Sequence, residues 1–278
     1  MKVLITGADG FIGKNLALHL SERKDVQVVC FARTNAEADL PTLLQDVDFV
    51  FHLAGVNRPQ NPQDFVSGNT GLTLALCHAL GSLAQATGKR IPIVFTSSAQ
   101  ASLANPYGLS KIAQELVGTA SGGHPRTFIA RPFNHVGPRQ DQSFVSAAFA
   151  RQIAEIEAGL KPPVIEVGNL SARRDLTDVR DTVYAYRLIV ERGLPGRPYN
   201  VCRGEAIAVQ ALLDTLVSLS TVSVDVVPDP ARYRPNDSPI VLGNPARAMA
   251  ELGWTPRIPL EQTLHDLLDY WRARVQCT

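Results

Sequence analysis

Three residues in one stretch of this sequence could move a proton and hold a carbonyl. Tyr107 and Lys111 stand four apart in NPYGLSK, at the start of a predicted helix, so their side chains share one face. Ser98 precedes them in VFTSSAQ, at the end of an apolar run of strand length. A phenol, with a pKa of about 10, is a poor acid at neutral pH unless a cation stabilises its phenolate, which the Lys111 ammonium would do. Ser98 would hydrogen-bond a substrate carbonyl as hydride reaches its carbon, and Tyr107 would protonate the developing alkoxide. Six tyrosines and six lysines in 278 residues give about 0.1 such pairs by chance, so the spacing needs its context. The alternative is a packing tyrosine at a helix start beside a solvated lysine.

That context is a run of elements able to carry the three residues to one edge of a sheet. Apolar stretches at 3–6, 26–31, 48–53, 91–97 and 127–132 alternate with helical patterns, as a parallel sheet with crossover helices does. The fold class this implies is α/β, a Rossmann-like doubly wound parallel sheet with a smaller C-terminal substrate-binding lobe. Ligands of such sheets bind at the carboxyl ends of the strands, where Ser98 falls.

The first strand runs into GADGFIG, with Gly7, Gly10 and Gly13 between strand and helix. Glycines at these positions permit a tight turn and let backbone approach a pyrophosphate, while the helix N-terminus offers N–H groups to it. Gly7, Asp9, Gly10, Phe11, Ile12 and Gly13 are therefore expected cofactor contacts; a plain strand-to-helix turn is the competing reading. The second strand ends in CFARTN, with no acid to hold a ribose 2′-OH and with Arg33 in reach of a 2′-phosphate. NADPH is the expected cofactor, NADH remains possible, and a solvated loop arginine is the other account of Arg33.

Twenty-seven basic and twenty-six acidic residues give a net charge of +1, so no global field draws the chain to nucleic acid or to anionic lipid. The cysteines at 30, 77, 202 and 277 form no CxxC pair, which argues against zinc or a disulfide framework and for a reducing cytoplasm. The opening apolar run, MKVLIT, is too short for a secretory signal, and no stretch reaches the ~18 apolar residues of a membrane span. Beyond about Arg131 the pattern loosens and Pro, Gly and Arg crowd in. Residues 1–132 are read as the NADP-binding domain and 133–278 as a nucleotide-sugar-binding lobe, with about 178–202 returning to the sheet. Helices are expected at 179–191, 206–219 and 260–274, and a short strand at 199–202 that could return to the sheet.

GADGFIG, VFHLAG, the Ser98, Tyr107 and Lys111 set, and Asn69 together resemble the extended short-chain dehydrogenase/reductases acting on nucleotide sugars. Up to about residue 120, HLAGVNRPQ and SSAQASLANPYGLSK resemble the reductases of UDP-linked 4-keto-6-deoxy amino sugars in capsular and O-antigen synthesis. From Arg131 onward, RPFNHVGPRQ, VGNLSARRDLTDVRD and RYRPNDSP resemble the GDP-6-deoxy-D-mannose reductase subfamily. The resemblance implies that Leu53, Ala54, Gly55 and Asn69 line the cofactor and that Lys111 also holds the nicotinamide ribose. It implies that Arg174 and Arg234 contact the nucleotide diphosphate, with Asp237 nearby, and that Asn134 and His135 lie where a sugar passes.

Two arginine pairs, Arg173–Arg174 and Arg232–Arg234, suit a diphosphate on their own chemistry. They also suit structural pairing with Asp175, Asp178 and Asp237, and His135 could be a packed histidine. Dehydratases of the family carry a glutamate two positions after the catalytic Ser or Thr; Gln100 stands here and cannot act as a base. What remains is NADPH-dependent reduction of a 4-keto group. The GDP-linked 4-keto-6-deoxyhexose is preferred, a UDP-linked amino sugar is the alternative, and a non-catalytic NADP-binding protein of the same fold is the third reading. Eight residues separate Ser98 from Tyr107, fewer than in most extended members, which reshapes the expected sugar pocket. The family implies a homodimer through two helices per subunit, here 70–87 and 110–119, although Leu72, Leu76, Leu80 and Leu83 could equally be core.

Overall fold

Strands whose residues are apolar on both faces need cover on both sides, and the chain supplies it with alternating helices. In the computed structural model, which describes all residues except 58, 60, 104, 121–125, 234–237 and 277–278, the chain opens with β1 (Lys2–Thr6), α1 (Phe11–Ser21) and β2 (Gln27–Phe31). A short helix α2 (Leu40–Leu43), β3 (Phe49–His52), α3 (Leu72–Thr87), β4 (Ile93–Thr96), α4 (Pro106–Ala120) and β5 (Thr127–Pro132) follow. Next come β6 (Asn134–Val136), α5 (Val145–Glu157), β7 (Val164–Val167), β8 (Arg173–Asp178), α6 (Val179–Arg192) and β9 (Pro198–Val201). The chain closes with β10 (Ala206–Ala208), α7 (Val209–Ser218), β11 (Asp225–Pro228), β12 (Ile240–Val241) and α8 (Leu260–Val275).

The main sheet is parallel, in the order β2-β1-β3-β4-β5-β9. Chain order reverses on either side of β1, so the carboxyl end of β1 is a topological switch point, where such sheets open a crevice. Alternation along the strands feeds two cores. Val3 and Ile5 pack with Leu16 and Leu20 on one face, and Leu4 joins Phe31, Leu40, Leu76 and Leu80 on the other. The leucine stripe of α3 is therefore largely spent on the sheet, with Leu76 and Leu80 buried.

The chain divides into two compact units, one of residues 1–132, 183–201 and 246–254, the other of 133–182, 202–245 and 255–278. The sequence reading assigned 246–254 to the second lobe. Instead Ala248, Leu252 and Trp254 are buried in the same cluster as Tyr186 and Tyr199. Glu251 in that segment accepts from the Tyr199 hydroxyl at 2.8 Å and from Arg197 at 2.6 Å. In the second unit β8 pairs parallel with β6 and β12 and antiparallel with β10, while β7 pairs parallel with β11. Its core gathers Ile153, Leu212, Leu216, Leu264 and Leu267. The helix expected over 206–219 begins only at Val209, because Ala206–Ala208 is taken up in pairing with β8. No helix among the described residues is long and apolar enough to cross a membrane.

Candidate active site

The turn after β1 is shaped by its lack of side chains. Gly7 has φ +69°, and a Cβ there would come within 2.6 Å of the Ala54 backbone nitrogen. A Cβ on Gly13 would meet the Gly7 carbonyl at 2.2 Å, so the first turn of α1 lies directly on the turn. Gly10 caps α1, whose first turn carries no acidic residue to oppose an incoming anion. This backbone cradle at a switch point fits a dinucleotide pyrophosphate. Arg33 is exposed in the turn that follows β2.

Ser98 lies just past β4 and Tyr107 in the first turn of α4; local chemistry joins them. Asn105 Oδ1 accepts from the Gly108 N–H at 2.8 Å and Pro106 opens the helix, so NPYG is a capped helix start. A Cβ at Gly108 would fall 2.3 Å from the Gln100 carbonyl and 2.5 Å from that of Leu103. Glycine there lets α4 close onto the turn Ala99–Ser102, which brings Tyr107 near Ser98. Phe65 supports the Tyr107 ring from 5.8 Å between centroids. Gln100, exposed, donates its backbone N–H to Ser98 Oγ at 3.1 Å.

Lys111 is buried, with Nζ 5.9 Å from the centre of the Tyr107 ring. It donates to the Thr96 carbonyl at 2.9 Å and to Gln114 Oε1 at 3.0 Å. Burial lowers its pKa to about 8, and the nearby Glu115 carboxylate works against that fall. Glu115 accepts two bonds from Arg131, at 2.7 and 2.6 Å, and one from the Ser97 hydroxyl. The expectation of a phenol made more acidic by Lys111 is corrected here. Burial is the larger influence on Tyr107 and raises its pKa, with the nearby Ser98 hydroxyl pulling part of the way back. The phenol thus keeps its proton at neutral pH, the state a proton donor must start from.

Leu53, Ala54 and Gly55 leave β3 beside the glycine turn, where the Leu53 and Ala54 N–H groups bond to the carbonyl and hydroxyl of Thr6. Asn69, expected to line the cofactor, is fully buried in a π-helical segment, Val66–Gly71. Its amide accepts from Val56 N at 2.8 Å and donates to Val56 O and Ser110 Oγ, both at 2.9 Å. With those bonds made, Asn69 is a clamp on the loop after β3 rather than a contact reaching outward.

In the second unit, Asn134 is exposed on β6 and His135 is half-buried, with Nδ1 3.0 Å from the Phe133 carbonyl. Burial lowers the His135 pKa, against that bond. Arg174 Nη1 donates to the carbonyls of Arg173 and Ser238, both at 2.8 Å, and Arg173 binds the Ala206 carbonyl. Of the three acids in the alternative of structural pairing, Asp175 and Asp178 are taken by other groups and Asp237 lies outside the described residues. Asp175 accepts backbone N–H groups of Arg203, Gly204 and Gly243, and Asp178 pairs with Arg180 and Thr263. Arg232 forms ion pairs with Glu166 and Asp229. Arg234 and Asp237 lie outside the described residues.

Comparison with known proteins bears on this arrangement. The profile of the NAD dependent epimerase/dehydratase family matches residues 3–202. GDP-6-deoxy-D-mannose reductase of Pseudomonas aeruginosa is 33% identical over an alignment of 303 positions, covering 99% of this chain and 98% of that protein. UDP-2-acetamido-2,6-beta-L-arabino-hexul-4-ose reductase of the same species is 41% identical over 196 residues, 69% of this chain and 50% of that protein. Among solved structures, RMD from Pseudomonas aeruginosa complexed with NADPH superposes with a TM-score of 0.84 at 31% identity, covering 98% of this chain and 99% of that one.

Proposed function

Because the chain belongs to the NAD dependent epimerase/dehydratase family, we propose that it is an NADPH-dependent reductase of the 4-keto group of a nucleotide-linked 4-keto-6-deoxyhexose. The substrate in this reading is GDP-4-dehydro-6-deoxy-D-mannose and the product GDP-6-deoxy-D-mannose, GDP-D-rhamnose. The observation that carries it is the placing of Tyr107 near Ser98 with Lys111 buried beside the Tyr107 ring, next to a glycine cradle at the sheet's switch point. End-to-end similarity to a GDP-6-deoxy-D-mannose reductase supports the choice of sugar.

Gly7, Gly10 and Gly13 would admit the cofactor pyrophosphate, Leu53 to Gly55 would border it, and exposed Arg33 would meet a 2′-phosphate. When bound, NADPH would supply the hydride that the ketone carbon accepts. Ser98 orients the ketone oxygen and Tyr107 donates its phenolic proton to it, so the carbonyl becomes an alcohol and the tyrosine a phenolate. Lys111, as ammonium, and the Ser98 hydroxyl offset that negative charge until the phenol regains a proton. Arg174 and Arg234, with Asp237, would recognise the nucleotide diphosphate, and Asn134 and His135 the sugar. Gln100 in place of a glutamate is why reduction rather than dehydration is proposed.

A second reading, reduction of a UDP-linked 4-keto-6-deoxy amino sugar, is favoured by the higher identity over the first 69% of the chain. Incubation with NADPH and enzymatically made GDP-4-dehydro-6-deoxy-D-mannose, with NMR identification of the product, tests the first; GDP and UDP titrations separate the two. A homodimer in the cytoplasm completes the reading. Leu74 on α3 and Leu109 and Leu116 on α4 are 53%, 56% and 61% exposed, as a two-helix interface would leave them in one subunit. Light scattering at the mass of one chain would remove the dimer.

A further inference from the structure

The polar contacts of Lys111 continue beyond Gln114. Gln114 Nε2 donates to Thr73 Oγ1 at 3.2 Å, and Thr73 commits its single hydroxyl proton to the Asn69 carbonyl at 2.6 Å. His52 Nε2 lies 2.8 Å from the same Thr73 oxygen, so that ring nitrogen has to be the donor. Nδ1 is then the acceptor, and the Thr6 hydroxyl, 2.7 Å away, donates to it. Thr6 Oγ1 in turn accepts from the Ala54 N–H at 3.1 Å. Each direction is fixed by the proton count: one run leads from Ala54 through Thr6 and His52, another from Lys111 through Gln114, and both meet at Thr73.

Thr6, His52, Asn69, Thr73 and Gln114 are all 0% exposed and Lys111 is 4% exposed, so water does not stand in for any member. The network requires a neutral His52; burial, and secondarily the Lys111 charge, lowers its pKa to about 3. The Tyr–Lys spacing demands nothing of position 114. A leucine would suit that buried face of α4 as well, and a polar amide there costs desolvation unless its bonds are made.

We infer that Gln114 is a positioning residue for the reaction: its amide holds the Lys111 ammonium against the Thr96 carbonyl and, through Thr73, His52 and Thr6, ties it to the Ala54 loop. Lysine and loop are thereby set as one body. The inference rests on the reading of Ser98, Tyr107 and Lys111 as a reductase centre and adds a residue to it. The groups facing Lys111 are His52 from β3, Gln114, Tyr107 and Glu115 from α4, and Arg131 from β5, which neutralises Glu115.

The test uses the full chain with its lysines labelled at Cε for NMR titration, beside NADPH affinity by fluorescence and kcat against pH. Gln114→Glu places a carboxylate at the same reach; the Lys111 midpoint should rise from about 8 by roughly one pH unit or more. The alkaline limb of kcat should move with it. Gln114→Leu should lower the midpoint and weaken NADPH binding about tenfold, through the loss of a shared anchor. Val117→Ala, on the same helix and packed against the other core, should lower the melting temperature and leave both readouts in place.

An unmoved Lys111 midpoint in Gln114→Glu overturns the inference, as do equal changes in all three variants. Should Gln114→Leu fail to fold, the near-isosteric Gln114→Glu still decides. If the unaltered protein binds NADPH yet reduces neither GDP- nor UDP-linked 4-keto sugars, the proposed function fails, and the NMR midpoint still judges Gln114.

Discussion

The two groups of proposed site residues are built differently. In the first unit, Lys111, Gln114, Asn69 and His52 are buried and bonded from several sides, and Glu115 is locked by Arg131 and Ser97. In the second unit, Arg174 is half-buried on a strand beside the two-residue β12 and holds backbone carbonyls, and Asn134 and Ile240 are exposed. A dry, saturated setting fixes the cation beside the proton donor to within a fraction of an ångström, which chemistry requires. A guanidinium at such an edge tolerates a looser fit, since a diphosphate is grasped by charge and by several donors at once. The contrast predicts that changes in the first region alter turnover and stability, whereas changes in the second alter substrate affinity.

The largest effect should come from Tyr107→Phe. Removing the proton donor should cut turnover by about 10²–10⁴-fold while NADPH binding stays within about threefold, measured by steady-state kinetics and fluorescence titration. A comparable loss in both would break the division of labour. Acid stability comes next. Between pH 6.5 and about 3 the unfolded chain protonates His52 and the folded chain refuses the proton, so stability falls as pH falls, by about 1.4 kcal/mol per pH unit. His52→Gln should show a shallower acid slope in urea titrations at stepped pH.

Arg131→Met leaves the Glu115 carboxylate without its main partner and should cost about 3 kcal/mol in urea denaturation. Arg173→Ala, which loses contacts to one carbonyl on an exposed residue, should cost under about 1 kcal/mol. Near-equal costs would erase the contrast between the regions. The smallest effect sharpens it: Arg174→Ala should raise the substrate KM about tenfold with kcat within about twofold, read from initial rates.

Much of this was legible in the residue order. The residue order gave all six strands of the main sheet within two residues at either end, because strands covered on both faces are apolar throughout. Gly7, Gly10 and Gly13 announced the cradle, and NPYG the start of α4, whose Asn105 cap only the structure shows. The segment 246–254 was not legible. Its burial depends on Tyr199 and Arg197, about fifty residues away, and nothing local signals that pairing. Ala206–Ala208 read as helix because alanine is a good helix former; pairing with β8 overrode the propensity.

The sequence by itself determined which groups are present: a phenol and an ammonium four apart, a hydroxyl at a strand end, and glycines where a pyrophosphate would need bare backbone. Only the tertiary structure decided their protonation and their freedom. Burial, not the neighbouring cation, governs the Tyr107 hydroxyl, and Asn69 proved a loop clamp once its bonds to Val56 and Ser110 were seen. The reason is that desolvation and hydrogen-bond saturation depend on every neighbour in space, whereas spacing along the chain reports only the few residues one helical turn away.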